Sequence, residues 1–224
     1  MTTSGCTIVF YHYVRNVERT PFPSIKGLSV DGFVAQLDWL QARYDVIDGG
    51  SFERAVVNGS LFTRPTALLT FDDGFIDHFE NVFPILRARK LGGIFFIAGA
   101  TLAARPVLLN VHKTHFLLAR LGADRFASEV GDALGREGVD VHSRTADESS
   151  LREGRTGIYR YDEAPETRIK RVLNYDAPHP VADRVLTALF DRHIGDSVDF
   201  ARGLYLTSGQ IGEMARGEIG RAHV

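Results

Sequence analysis

The chain has 224 residues, of which 44% are hydrophobic, and a formal net charge of −2 at pH 7. These values suit one α/β domain of ordinary size with a substantial core, and the near-neutral charge argues against nucleic acid as a partner. Cys6 is the only cysteine, so an intramolecular disulfide and a cysteine-based metal cluster are excluded.

The N-terminal segment carries no basic residue and leads directly into a short apolar stretch, so it lacks the layout of a signal peptide. No apolar run approaches the roughly 20 residues that a membrane helix needs. We therefore predict no membrane span and, by default, a cytoplasmic location, which an additional upstream segment would overturn. The sequence gives no indication of oligomeric state.

The first hundred residues alternate between apolar strands and amphipathic helices. Ser29 caps the first helix, in which Phe33, Leu37 and Leu40 recur at helical spacing, and Trp39 is expected to lie in the core. Strands are predicted at 6–14, 45–47, 67–71 and 94–97, and helices at 29–44, 51–57 and 77–89. This alternation indicates a parallel sheet or barrel with right-handed crossovers.

The alternation stops in the second half of the chain. Helices are predicted at 107–121, 124–134 and 168–191, with a polar, charged stretch at 139–166. We interpret residues 103–203 as a mostly helical insertion within a single domain that spans 1–224. A last helix, capped by Thr207 or Ser208, and a fifth strand beginning at Glu218-Ile219-Gly220 follow it.

The sequence Thr70-Phe71-Asp72-Asp73-Gly74 ends the third strand with two adjacent carboxylates. The apolar run before it is typical of a strand covered on both faces, where a carboxylate is costly to bury. Asp72 and Asp73 should therefore lie at the exit of the strand, where Gly74 lets the chain bend. Alone, Asp-Asp-Gly is typical of a solvated turn, but α/β folds place their chemistry at this edge. His78 is predicted on the first turn of the helix that leaves it.

The carboxylate motif resembles the first motif of the polysaccharide deacetylases, the NodB-type carbohydrate esterases. The features that carry the resemblance, in family order, are Tyr11-His12, the run 33–47, Thr70-Phe71-Asp72-Asp73-Gly74, Phe95-Phe96, and Gln210-x-x-x-Met214 ahead of Glu218-Ile219-Gly220. They cover residues 5–102 and 204–220. The resemblance implies a distorted NodB-type (β/α) barrel carrying a mostly helical insertion.

The resemblance also implies a role for each carboxylate. Asp72 would be the general base and Asp73 a ligand of a divalent metal, usually zinc. A metal polarises an acetamide carbonyl and lowers the pKa of its bound water, while an adjacent carboxylate removes the proton. The family completes an open three-ligand site with two histidines spaced His-x-x-x-His.

The end of the sequence departs from this pattern. The family places its first histidine two residues after the glycine of Glu-Ile-Gly, where this chain has Ala222, and His223 comes one residue later. The later arginine-proline, aspartate-tryptophan and leucine-x-x-histidine motifs are absent, and the sequence ends at Val224. We therefore expect a truncated, incomplete barrel with half a metal site at most, inactive in this form.

The function implied by the resemblance is hydrolysis of the acetamide of an N-acetyl amino sugar in a surface polysaccharide or its precursor. O-deacetylation is the less favoured variant. His12 either contacts this acetylated carbohydrate or packs at the strand end. A catalytically silent homologue that binds carbohydrate or acts as a scaffold is the alternative, because Ala222 replaces a ligand. A magnesium-dependent phosphoryl transferase ranks last, because no phosphate-binding glycine loop is present.

Overall fold

The computed structural model describes residues 5–60, 62–139, 164–217 and 220–223. The chain divides into two compact units, one formed by residues 1–107 and 198–224, the other by residues 108–197. The sheet lies in the first unit, and the described part of the second unit is helical. The predicted single domain with an insertion at 103–203 stays a prediction.

The sheet is parallel throughout, which confirms the predicted α/β class. Its strands are β1 Cys6–Tyr11, β2 Asp45–Ile47, β3 Thr66–Phe71, β4 Gly93–Phe96 and β5 Gly220–His223. The order is β1-β3-β4-β5, and β2 pairs with the first half of β3 while β4 pairs with its last two residues. No pairing joins β1 to β5 among the described residues, so the sheet they form is open and the predicted barrel is not observed as a closed structure.

The helices match most of the predicted ones. They are α1 Val30–Gln41, α2 Gly49–Val57, α3 Phe83–Arg89, α4 Asn110–Leu121, α5 Ala123–Arg136, α6 Ala164–Arg171, α7 His179–His193, α8 Ser197–Leu204 and α9 Ser208–Arg216. Short 3-10 turns occur at Val17–Arg19 and Gly99–Leu102, and π-helical turns at His78–Val82 and Val172–Asp176.

The helix starts predicted at Ser29, Ser51 and Thr207 or Ser208 are observed with one exception. The Ser29 hydroxyl accepts a hydrogen bond from the Gly32 amide at 3.1 Å, as predicted, and Thr207 forms a capping box with Gln210. The exception is α2, which begins two residues earlier than predicted, because Asp48 accepts from the Ser51 amide at 2.8 Å. Ser51 was expected to be the cap itself.

Two boundaries near the carboxylate motif differ from the prediction. β1 ends at Tyr11 rather than residue 14, because its ladder with β3 ends at the pair Tyr11 and Phe71. The helix predicted at 77–89 is divided into the π-helical turn His78–Val82 and α3. Pro84 lies in the first turn of α3, where its missing amide hydrogen costs nothing. Both differences shape the site described below.

The core of the first unit lies between the sheet and its helices. β3 is buried along its whole length, and Phe33, Leu37 and Leu40 of α1 are buried as their spacing predicted. The prediction for Trp39 is wrong. Its side chain is 49% exposed and the guanidinium of Arg43 lies over its ring at 4.6 Å, because the three buried residues occupy the face of α1 that meets the core.

In the second unit α4 packs on α5 and α7, and α5 packs on α6 and α7. Residues 140–163, most of the predicted polar stretch, lie outside the described residues. The helix predicted at 168–191 is divided by the segment around Pro178, as expected. Within the described ranges, every helix is too short or too polar to cross a membrane.

Candidate functional site

The site is built on the turn that follows β3. The Asp72 amide donates to the Tyr11 carbonyl at 2.9 Å, which extends the β1–β3 pairing by one residue beyond the ladder. The backbone then turns sharply, since Asp73 has a φ of +74° and Gly74 a φ of +64°. A Cβ on Gly74 would lie 2.9 Å from a methyl carbon of Ile97, so glycine is required here for conformation and for space.

The conformation of Asp73 is unusual for a residue with a side chain. Aspartate tolerates left-handed backbone better than most residues, but the conformation still costs on the order of 1 kcal/mol or more. Such a conformation persists only where the surrounding structure holds it in place. The turn therefore places the partly buried carboxylate of Asp73 at the end of β3.

The residues after the turn are held by the segment that follows α8. The Leu206 amide donates to the Gly74 carbonyl at 2.8 Å, and Phe75 forms an isolated antiparallel bridge with Tyr205. The Phe75 ring is also stacked on Tyr13, with ring centroids 4.1 Å apart. The chain near residue 205 and the chain after β1 thus fix the turn together.

His12 lies beside both carboxylates. Its Nε2 atom is 3.9 Å from Asp72 Oδ2 and 3.8 Å from Asp73 Oδ2. All three side chains reach solvent, with exposed fractions of 45% for His12, 32% for Asp72 and 26% for Asp73. Distances of this length are just beyond direct hydrogen bonding. The structure brings these three predicted site residues together, and their individual roles stay predictions.

The environment of Asp72 suits a base. Partial burial raises the pKa of its carboxyl above the ordinary value of 3.8; the negative charge of Asp73 adds to this effect and the His12 ring opposes it. A carboxylate with a raised pKa is a stronger proton acceptor than an ordinary one. The surroundings of Asp72 therefore favour proton abstraction.

A buried ion pair lies behind the turn. The Arg15 Nε donates to Asp77 Oδ2 at 2.7 Å, and Arg15 Nη2 lies 2.6 Å from Asp77 Oδ1. Asp77 also accepts from the Val14 amide at 3.2 Å. Burial raises the pKa of Asp77, while the Arg15 charge and these hydrogen bonds oppose the rise. The pair joins the chain after β1 to the segment after the carboxylate turn.

Two further side chains of that segment bind the same stretch of backbone. His78 is fully buried, and its Nε2 lies 2.9 Å from the carbonyl oxygen of His12. A carbonyl oxygen can only accept a hydrogen bond, so Nε2 carries the hydrogen and donates it. Asn81 donates to the Val14 carbonyl at 2.7 Å. Burial lowers the pKa of His78 to about 4, so its imidazole is neutral at pH 7.

Asp77, Asn81 and the role of His78 were not predicted from the sequence. His78 was expected to sit on a helical turn without a defined partner, whereas it is buried against the strand ends. The available signal was the cluster of hydrogen-bonding side chains at positions 77, 78 and 81, which share one side of a helical segment. Their partners lie more than 60 residues earlier, so the spacing alone does not identify them.

The implied metal site is not completed by the described residues. β5 pairs with β4 so that Ala222 is level with Phe95 and His223 with Phe96, which places both near the carboxyl end of the sheet. The side chain of His223 and residues 218–219 lie outside the description. Among the described side chains, no three of histidine, cysteine, aspartate and glutamate form a group able to hold a metal ion. These residues therefore do not fit a complete zinc site.

The fold and the site together define a parallel α/β protein with two carboxylates and a histidine at the carboxyl end of its sheet. No family model matches the sequence, and no curated protein matches it at a significant level. Solved structures with detectable similarity do exist.

One of these is a de-N-acetylase from Aggregatibacter actinomycetemcomitans, 23% identical over 43% of this chain, with a TM-score of 0.38. IcaB from Ammonifex degensii is 21% identical over 52% of the chain, with a TM-score of 0.39. The deacetylase PplD from Streptococcus pyogenes, solved with acetate, is 15% identical over 97% of the chain, with a TM-score of 0.38.

These alignments cover 38%, 49% and 82% of the three solved chains, so this chain spans less than half the length of the first two. Two of the three proteins are named as deacetylases. The identities and TM-scores are low, and the function is therefore proposed from the site itself.

Proposed function

We propose that this chain carries the carboxylate pair of a carbohydrate deacetylase, which hydrolyses the acetamide of an N-acetyl amino sugar in a surface polysaccharide or its precursor. The 224 residues alone are expected to be inactive, because the sequence has Ala222 where the family has its first histidine. The observation that carries the proposal is the pair Asp72 and Asp73 at the end of the buried central strand, with His12 beside both. The order of the sequence motifs around this pair supports the same reaction class.

In the proposed reaction Asp72 accepts a proton from the attacking water. The water oxygen forms a bond to the acetyl carbonyl carbon, the bond from that carbon to the sugar nitrogen breaks, and the nitrogen leaves as an amine after gaining a proton. The products are acetate and the free amino sugar. The raised pKa of Asp72 supports this role, because proton transfer to a stronger base has the greater driving force.

Asp73 and His223 are the proposed ligands of a divalent metal, zinc in the first instance. Asp73 is held in place by the turn, but the described side chains do not complete a site, so we assign no step of the reaction to a metal. His12 is the proposed contact for the substrate. Its ring is exposed and lies beside both carboxylates, so a hydroxyl or amide group of a sugar bound there can reach it.

The test is acetate release from a panel of acetylated oligosaccharides, with zinc or cobalt supplied. Asp72→Asn keeps the shape of the side chain and removes the base, so activity should fall by about 10²- to 10⁴-fold. Thr66→Val, at the opposite end of β3, is the matched control and should retain activity. In a longer protein that carries this sequence and a complete set of metal ligands, release of no acetate, or unchanged activity in Asp72→Asn, would refute the proposal.

A second candidate is a catalytically silent protein that binds carbohydrate or acts as a scaffold. It is favoured by the absence of a three-ligand metal group among the described side chains and by Ala222 at the position of a family ligand. Binding of oligosaccharides without acetate release would support this candidate. Stoichiometric zinc binding that is lost in Asp73→Ala would count against it.

A further inference from the structure

The segment that follows the carboxylate turn binds the backbone of the segment that follows β1. His78 donates to the His12 carbonyl, Asp77 accepts from the Val14 amide, and Asn81 donates to the Val14 carbonyl, at 2.9, 3.2 and 2.7 Å. All three bonding side chains come from the first helical turns after Gly74. Three hydrogen bonds therefore connect the two halves of the candidate site.

His12 itself lies outside the sheet, between the end of the β1–β3 ladder and the backbone hydrogen bonds that Tyr13 and Arg15 make with Leu28. The β1–β3 ladder ends at Tyr11, and the last backbone bond between the two segments joins the Asp72 amide to the Tyr11 carbonyl. His12 itself has an exposed ring and irregular backbone. The hydrogen bond from His78 acts on the peptide carbonyl of His12, and so sets the direction in which that residue leaves the strand.

The position of the His12 ring depends closely on this backbone. Its Nε2 lies 3.8 to 3.9 Å from two carboxylate oxygens, which is just beyond direct hydrogen bonding. A displacement of the ring by 1 Å would either bring Nε2 within hydrogen-bonding distance of a carboxylate or leave space for a water molecule between them. Displacements of this size are enough to change catalytic rates about 10²-fold.

We propose that Asp77, His78 and Asn81 are positioning residues that hold His12 between Asp72 and Asp73. The geometric part of this inference rests on the hydrogen bonds alone, and its consequence for catalysis rests on the proposed function. The π-helical turn at His78–Val82 brings the three side chains to the chain after β1, in keeping with the frequent occurrence of such turns at functional sites.

The test compares His78→Leu, which removes the donor, with His78→Gln, whose amide nitrogen can replace the imidazole Nε2. Thr66→Val is the matched control, because it deletes a buried hydroxyl-to-carbonyl hydrogen bond at the far end of β3. In each background, Asp72→Asn is added and the change in the ring NMR signals of His12 is measured at one fixed pH. Asn81→Ala carries the same test should His78→Leu fail to fold.

We expect the His12 signals to respond to Asp72→Asn equally in the wild-type, His78→Gln and Thr66→Val backgrounds. In His78→Leu the response should fall to less than about half, because the ring no longer keeps its place beside the carboxylates. An undiminished response in His78→Leu, with only the unfolding free energy lowered, would overturn the proposal.

Acetate release separates this inference from the proposed function. If the wild-type chain releases acetate, His78→Leu should lower kcat more than Thr66→Val does, and His78→Gln should restore it. If Asp72→Asn leaves acetate release unchanged but His78→Leu loses the NMR response, the positioning role is supported and the proposed function is refuted.

Discussion

Buried polar side chains bind backbone groups in one unit of this protein and other side chains in the other unit. In the sheet-containing unit, Asp77 and His78 bind the irregular backbone at residues 12–15. In the helical unit, the buried Lys113 binds side chains of α4 and α7, namely Asn110, Asp183 and Thr187. Regular helices already satisfy their own backbone, whereas the chain after β1 forms only an isolated bridge with Leu28, and side chains bind the His12 carbonyl and both backbone groups of Val14.

This difference indicates where buried polar groups carry information about function. A network between helical side chains adds to packing that the apolar face of each helix already specifies. A network that captures irregular backbone next to exposed titratable groups determines where those groups lie. The comparison predicts that equivalent substitutions in the two networks will have different consequences.

The largest expected effect is that of Arg15→Met. It leaves the Asp77 carboxylate buried without a counter-charge, and we expect the free energy of unfolding to fall by about 3–5 kcal/mol. Lys113→Met should cost far less, because its partner Asp183 has a 45% exposed side chain that water can solvate. Urea denaturation measures both, with amide hydrogen exchange to assign the change to one unit.

The double variant Arg15→Met with Asp77→Asn is the control for the charge effect. Removing the buried charge should recover a large part of the stability lost in Arg15→Met. Equal losses for Arg15→Met and Lys113→Met, or no recovery in the double variant, would contradict the distinction between the two networks.

The next effect is a dependence of stability on pH that comes from His78. Its pKa is lowered from 6.5 to about 4. Between these two pH values its imidazole is protonated in the unfolded chain but neutral in the folded chain. Stability should therefore fall by about 3 kcal/mol as the pH decreases through this window, and no further below it. His78→Gln should remove this component. The measurement is the free energy of unfolding of the wild type and of His78→Gln at several pH values. An identical dependence on pH in the two proteins would argue against a contribution from His78.

A smaller effect separates the backbone of Asp73 from its charge. Asp73→Ala, Asp73→Asn and Asp73→Gly all delete the carboxylate, but alanine is the least suited to a φ of +74°. Asp73→Ala should be less stable than the glycine and asparagine variants by about 1 kcal/mol. All three should lose any zinc binding. Equal stability of the three variants would mean that the turn relaxes freely and holds no strain.

The sequence predicted the parts of the site that depend on neighbouring residues. The apolar run before Asp72 required the carboxylates to lie at the strand exit, and Gly74 marked the turn. The parallel order of the strands then brought the end of β1, with His12, beside them. Each of these inferences needs only local patterns and the rule that parallel strands share one carboxyl edge.

The remaining features depend on contacts that local patterns do not contain. The partners of Asp77, His78 and Asn81 lie 63 to 67 residues away, and which backbone groups they meet depends on where β1 stops. The exposure of Trp39 depends on which face of α1 meets the sheet. A helical period allowed Trp39 on the edge of the apolar face, and only the packing of Phe33, Leu37 and Leu40 decided against it.

The smallest expected effect concerns Tyr11, at the end of β1 beside the site. Its ring packs between Phe33 and Phe71, but its buried hydroxyl has no hydrogen-bond partner among the described residues. Burial raises the pKa of this hydroxyl to about 12. Tyr11→Phe keeps the ring and removes the unsatisfied group, and should raise the free energy of unfolding by about 1 kcal/mol.

The exposed Tyr175→Phe is the control and should change stability by less than about 0.5 kcal/mol. Urea denaturation of both variants provides the measurement. A loss of stability in Tyr11→Phe would mean that the hydroxyl is satisfied in solution, by water or by residues outside the described ranges. A gain of stability in Tyr11→Phe would show that the Tyr11 hydroxyl, although it lies near the carboxylates, lowers the stability of the folded protein. The positioning role would then belong to the three side chains that bind backbone, and not to every buried polar group near the site.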